Sequence, residues 1–233
     1  LNMSIFRRRL LIAAIKQTVS KYIKFADSVV ASICKTAYSS DGIGVTTADA
    51  AAVTTSFLGN FKSNASITSF NEAVYFTGIG TAFDSTQGAF ENCTALTEVT
   101  LPMQITEISI NTFHNDTALI AVYNGNNVTH LDSNCFYNCT GLTTFNTGNV
   151  TIYDTMALRN TYNHNLTLSN NISGSLSSYA FALDSSSYIN SSLNDTVDVT
   201  GKFTGVTGIY EYCFSRNNKI YGALDLTSAT VVK

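Results

Sequence analysis

The sequence predicts an α+β chain: an amino-terminal amphipathic helix and a helix-loop-helix, followed by a repeat solenoid of strands and turns. Three observations carry that expectation. A phrase recurs every 23 residues, as AFENCTAL at 89–96, TFHNDTAL at 112–119 and CFYNCTGL at 135–142. Phe90, Phe113 and Phe136 hold one slot, Asn92, Asn115 and Asn138 a second, and Leu96, Leu119 and Leu142 a third. A period of roughly 20–29 residues marks a solenoid, in which each turn buries its apolar face only against its neighbours. Ahead of the repeats, apolar residues between Ile5 and Ala37 fall at three- and four-residue steps. Finally, only 12% of residues are charged while 45% are hydrophobic, and Ser, Thr and Asn are abundant, a profile of sheet-rich extracellular or virion proteins. At 233 residues the chain is long enough for one or two domains with a sizeable core.

The first element, residues 1–37, reads as one amphipathic helix. Leu11, Ala14, Ile15, Val19, Tyr22, Ile23, Ala26, Val29, Val30 and Ile33 form its apolar stripe, with no Pro or Gly to interrupt it. It is also basic: Arg7, Arg8, Arg9, Lys16, Lys21, Lys24 and Lys35 face a single acid, Asp27, in a chain of net charge −3. Arg7, Arg8, Arg9 and Lys16 are therefore candidate anchor residues for an acidic partner surface, a nucleic acid or a membrane face. The apolar core at Leu10–Ile15 is too short for a secretory signal, and no stretch reaches the length that spans a bilayer.

Residues 38–66 have the outline of a degenerate EF-hand-like helix-loop-helix, YSSDGIGVTTADAAAVT. Aligning Ser39 with the first loop position puts Asp41 third, Gly44 at the sharp turn and Ala50 at the position of the bidentate carboxylate. Calcium needs six to eight oxygens, and Asp41 and Asp49 alone supply too few, so the expectation is a scaffold without metal.

Residues 67–233 are the solenoid. ITSFNEAVYFTGI at 67–79 reads as its opening cap, and in the first full unit Phe90, Leu96, Val99, Leu101, Ile105 and Ile108 should point inward. The outward strand positions are Glu98, Thr100, Ala121, Tyr123, Thr144 and Asn146, with Tyr123 the side chain best suited to anchor a contact. Asn92, Asn115 and Asn138 should stack and satisfy turn backbone groups. Beyond Thr147 the register slips, because Phe136 advanced by one period lands on Arg159. Related phrases return as SYAF at 178–181 and EYCF at 211–214. Cys93 and Cys139 occupy one slot two turns apart, with Asp116 between them, and read as small buried ladder residues and not as a disulfide framework.

The units AFENCTALTEVTLP, TFHNDTALIAV and CFYNCTGLTTF resemble the BspA-type leucine-rich repeat, well over 76–145 and loosely over 146–233. That resemblance implies one short parallel strand per turn and a role in adhesion or protein-protein contact, with no catalytic residues. The fuller arrangement, from FRRRLL through the dockerin-like loop to the repeats, is similar to proteins of gut Bacteroidetes and to virion or fibre proteins of crAss-like phages.

No motif for catalysis is visible. His114, His130 and His164 lie outside metal-binding contexts, and Glu98, Glu107, Asp132 and Asp154 form no evident pair along the sequence. The leading expectation is therefore a non-enzymatic structural protein of a phage particle, without cofactor. It would dock on other virion proteins through its basic helix, form homo-oligomers, and present its repeats to a host surface protein or glycan, with no nucleic acid as partner. A bacterial cell-surface adhesin is the alternative, and a glycan-active enzyme on a fibre the third reading.

Overall fold

The computed structural model describes residues 20–54, 57, 61–83, 88–146, 149–161, 172–182, 197–198, 200, 203, 205–215, 220–221 and 231–232. Arg7, Arg8, Arg9 and Lys16 lie outside them. Asp27 decides where the first described helix begins. Its carboxylate accepts the backbone N–H groups of Val29 (2.7 Å) and Val30 (3.1 Å), so α1 runs Ser28–Tyr38 with Asp27 as its N-cap. The other carboxylate oxygen accepts the backbone N–H and the hydroxyl of Thr68, both at 2.7 Å, which ties the helix to the first turn of the repeats. Burial works against the charged carboxylate, but these four donors win and hold its pKa below the usual value.

The continuous helix expected over residues 1–37 is thereby corrected for its described part. Residues 20–27 are not helical, and Ile23 donates its N–H to the carbonyl of Val45 (2.7 Å). The helical spacing of Tyr22, Ile23 and Ala26 was outweighed by a cap and a backbone pairing that the spacing does not show.

A second helix, α2 (Thr47–Ala51), opens on a capping box between Thr46 and Asp49. The loop between the helices keeps its helix-loop-helix outline, but its sharp turn is at Gly42 (φ 71) and not at Gly44. Gly44 answers a steric demand instead: a Cβ there would stand 2.7 Å from the ring of Tyr22.

From here the chain is strand and corner. In order, the strands are β1 (Ser69–Phe70), β2 (Ala82–Phe83), β3 (Glu98–Thr100), β4 (Glu107–Ile108), β5 (Ala121–Tyr123), β6 (His130–Leu131) and β7 (Thr144–Phe145). There follow β8 (Ile152–Tyr153), β9 (Ser173–Leu176), β10 (Val197–Asp198), β11 (Gly205–Ile209), β12 (Ile220–Tyr221) and β13 (Val231–Val232). Among the described residues all pairings are parallel. One sheet has the order β1-β3-β5-β7, a second runs β13-β11-β9-β8-β6-β4-β2, and β10 pairs with β12. Each regular turn thus lays down two strands where the resemblance implied one. The second comes from the return segment, where Ile108 pairs in register with Leu131 and Leu131 with Tyr153.

The side chains expected inside are inside: Phe90, Leu96, Val99, Leu101, Ile105 and Ile108 are fully buried. Phe90, Phe113 and Phe136 stack face to face, with centroids 5.6 and 5.3 Å apart. At the amino-terminal end the stack is closed by Phe57, whose ring meets those of Phe61, Phe70, Phe76, Phe83 and Phe90 at 5.4–5.8 Å in edge-on geometry. The opening cap therefore consists of residues 67–79 together with Phe57.

The corners explain the asparagines. Asn92 (φ 63), Asn115 (φ 64) and Asn138 (φ 62) are all left-handed, a conformation in which Asn is far better tolerated than other side chains. It turns each N–H toward the next turn, where Asn92 donates to the carbonyl of His114, Asn115 to that of Tyr137 and Asn138 to that of Arg159. Their side chains bond to one another and not to turn backbone groups as expected: Asn115 donates to Asn92 and Asn138 to Asn115, each at 3.0 Å. Asn115→Ala should cost about 1–2 kcal/mol from the left-handed backbone, read as a lowered urea midpoint, with Asn115→Gly milder.

A second left-handed row, two residues ahead of the inner aromatic slot, carries the repeat past its apparent lapse. Gly88, Asn111, Asn134, Met156, Tyr179 and Tyr212 all have φ between 56 and 83. They precede Phe90, Phe113, Phe136, Leu158, Phe181 and Phe214. The third unit is one residue short, so the fourth starts early and Leu158, 4% exposed, fills the slot that Arg159 was expected to break.

Candidate functional site

The outward face of the first sheet holds the positions read from the sequence, but several are already engaged. Glu98 pairs in register with Ala121 and Ala121 with Thr144; Thr100 lies beside Tyr123. Glu98 accepts from the side-chain amide of Asn71, and Thr100 donates to the same residue's amide oxygen (2.8 Å). Asn146 donates to Asn126 (2.6 Å). Ala121, expected outside, is 3% exposed, because its single methyl lies in a row between the longer Glu98 and Thr144. Thr144 is exposed, and Tyr123, at 43%, is the large side chain that this face offers to solvent.

A more continuous surface runs along the corners, and the sequence reading missed it. His114 stacks on Tyr137 with centroids 5.0 Å apart and planes 13° from parallel. The guanidinium of Arg159 lies 5.4 Å from the ring centre of Tyr137 and 4.6 Å from that of Tyr179. Tyr179 stacks in turn on Tyr212 at 5.0 Å, and Tyr212 is 59% exposed. Five successive turns thus build one column of rings and a cation. Its first member is steadied by Glu91, which also bonds Lys62 at 2.6 Å. Partial burial, outweighing the attraction of Glu91, lowers the pKa of His114. The signal was present in the sequence: His114, Tyr137 and Arg159 each follow the inner slot by one residue, once the shortened third unit is allowed for.

On the second sheet, carboxylates scattered along the sequence converge. His130 Nδ1 lies 3.2 Å from Glu107 Oε2, and Nε2 lies 2.8 Å from Asp154 Oδ2. Burial disfavours the imidazolium, but the neighbouring Asp154 and Glu107 prevail and raise the pKa. Asp132 belongs to the same cluster.

The loop between the two helices spends its carboxylates internally. Asp41 accepts from Lys21 Nζ and the Tyr22 hydroxyl, both at 2.8 Å, and from the N–H of Ile43 at 2.9 Å. The ammonium of Lys21, with those N–H and O–H donors, holds its pKa well below the carboxylate range. Asp49 accepts from Thr46. All five cysteines are free and buried. Among the described residues, no helix is long and apolar enough to cross a membrane.

Parallel strands stacked turn upon turn around an aromatic core define a leucine-rich-repeat solenoid. Residues 61–190 match the BspA type leucine rich repeat region in six copies, more than half of the sequence, and the chain belongs to that family. Among solved structures it is similar to a leucine rich cell surface protein from Faecalibacterium prausnitzii A2-165, at 22% identity and a TM-score of 0.36. The match covers 63% of this chain and 37% of that one, so the chain spans well under half of its structural relative. No curated protein matches the sequence.

Proposed function

We propose that the chain is a non-catalytic contact module that holds a protein partner at a bacterial cell surface. The observation that carries this reading is the column His114–Tyr137–Arg159–Tyr179–Tyr212. Tyrosine and arginine are enriched among the few residues that carry most of the binding energy of protein contacts. Here they are braced by one another before any partner arrives, which reduces the entropy lost on binding. The repeat family's association with adhesion and protein-protein contact supports the same reading. Against catalysis stands the imidazole of His130, which fills the space between Glu107 and Asp154 where a glycosidic oxygen would have to enter.

The test is adhesion of the purified chain to immobilised host extracellular proteins, with a glycan panel as the competing arm. Arg159→Ala and Tyr212→Ala should each weaken protein binding at least about tenfold, while Thr144→Ala should not. Binding that survives both column substitutions, or that goes only to glycans, overturns the reading. The basic segment with Arg7, Arg8 and Arg9 favours a second reading, in which the same module is carried on a phage particle. Detection of the chain in purified particles, and not in the bacterial envelope, would decide for it.

A further inference from the structure

The cluster around His130 has a donor set and an arrangement that a structural ion pair does not require. Parallel register brings Glu107 beside His130, and places Asp132 and Asp154 at equivalent positions just past two neighbouring strands. Both aspartates are pinned by backbone bonds between turns: the N–H of Asp132 donates to the carbonyl of Ile108 (3.0 Å), and that of Asp154 to Leu131 (2.9 Å). One ligand atom each from His130, Asp132 and Asp154 lies within 4.8 Å of the others. The side chains of His130, Glu107 and Asp154 are 26–36% exposed, so an ion can reach them.

We propose that His130, Asp132 and Asp154 form a binding site for a divalent transition cation of the Zn2+ type. The ligands are His130 Nε2 and one carboxylate oxygen from each aspartate, with Glu107 holding the ring through Nδ1.

Three arguments support this. An imidazole with two carboxylates suits Zn2+ or Co2+, whereas Ca2+ and Mg2+ prefer oxygen alone. A carboxylate on the far nitrogen of a ligating histidine is the usual device that fixes ring orientation; Glu107 occupies that place and is itself held by the Ser109 hydroxyl (3.2 Å). Third, Glu107, Asp132 and Asp154 gather oxygen donors around one imidazole, within reach of a single small cation. Binding requires Asp154 Oδ2 to draw back slightly from Nε2, a side-chain adjustment that leaves the strands in place.

The experiment titrates the whole purified chain, freed of metal by chelator, with Zn2+ by calorimetry and with Co2+ by visible absorption. One Zn2+ per chain is expected, with Co2+ bands of nitrogen and oxygen ligation. His130→Ala should weaken binding at least about a hundredfold and Glu107→Gln about 10–100-fold, while Asp41→Asn in the interhelical loop binds as the parent does. Circular dichroism establishes that each variant is folded, and Asp132→Asn with His130→Gln replaces any that is not. Absence of binding at millimolar Zn2+, unchanged affinity in folded His130 variants, or equal affinity for Ca2+ overturns the proposal.

Discussion

Phe113→Ala should destabilise the protein by about 3–5 kcal/mol, the range for removing a buried phenyl from a packed core. The ring is fully buried and stacked between Phe90 and Phe136, with Phe83 a further 5.9 Å neighbour, so its loss empties a space bounded by rigid rings that cannot collapse inward. Because a solenoid is held mainly by contacts between adjacent turns, the damage should be local in origin. Hydrogen exchange is expected to speed up first over β5 and β6, with a large drop in urea midpoint. Loss of less than about 1 kcal/mol would mean that the neighbouring rings close the space after all.

Asp116→Cys should have the opposite sign. Asp116 occupies the slot that Cys93 and Cys139 hold one turn away on either side. Those thiols donate to the carbonyls of Phe61 (3.0 Å) and Phe113 (2.9 Å) of their preceding turns. The aspartate is fully buried; Oδ1 accepts the N–H of Cys93 at 2.7 Å, but Oδ2 has no partner. Burial pushes its pKa well above 3.8, against that one hydrogen bond and aided by Glu91. Below about pH 4 both folded and unfolded chains hold the proton and the residue is neutral in effect. As pH rises above that value the unfolded chain gains by ionising, and the folded chain loses relative stability until its own raised pKa is passed.

Cysteine in this slot removes the loss, since the neighbouring Cys93 thiol is itself pushed up to about 12 by burial. The N–H of Cys93 keeps the carbonyl of Phe90 (2.9 Å) as a partner in the variant. The expected gain is about 1–3 kcal/mol at neutral pH, the scale of relieving a buried unsatisfied group, and it should grow as pH rises above about 4 in urea unfolding. A gain that does not change with pH would refute the ionisation argument.

The solenoid was legible because its determinants are local. Apolar spacing names the inward residues, and a left-handed corner recruits asparagine, so both leave marks at a constant interval. What escaped was whatever depends on the third dimension. The fourth unit hid because the third had dropped one residue ahead of it and leucine replaced phenylalanine, although Met156 and Tyr179 still adopt the left-handed corner. The aromatic column and the histidine-carboxylate cluster were invisible for the same reason: their members are a full turn apart in sequence and become neighbours only through strand register. In the amino-terminal part the error ran the other way. A helical apolar period continued across Asp27, but that carboxylate takes the first helical N–H groups for itself and starts the helix anew.

Phe57 has a bearing on how the protein is made. A ribosome releases the chain from its amino terminus, so this stopper and the aromatic rings that it seals are available before any later winding exists. In the folded chain these rings give the first coil a closed apolar surface to pack on. Loss of the stopper would leave every subsequent coil intact in sequence yet bare the outermost rings of the stack to water.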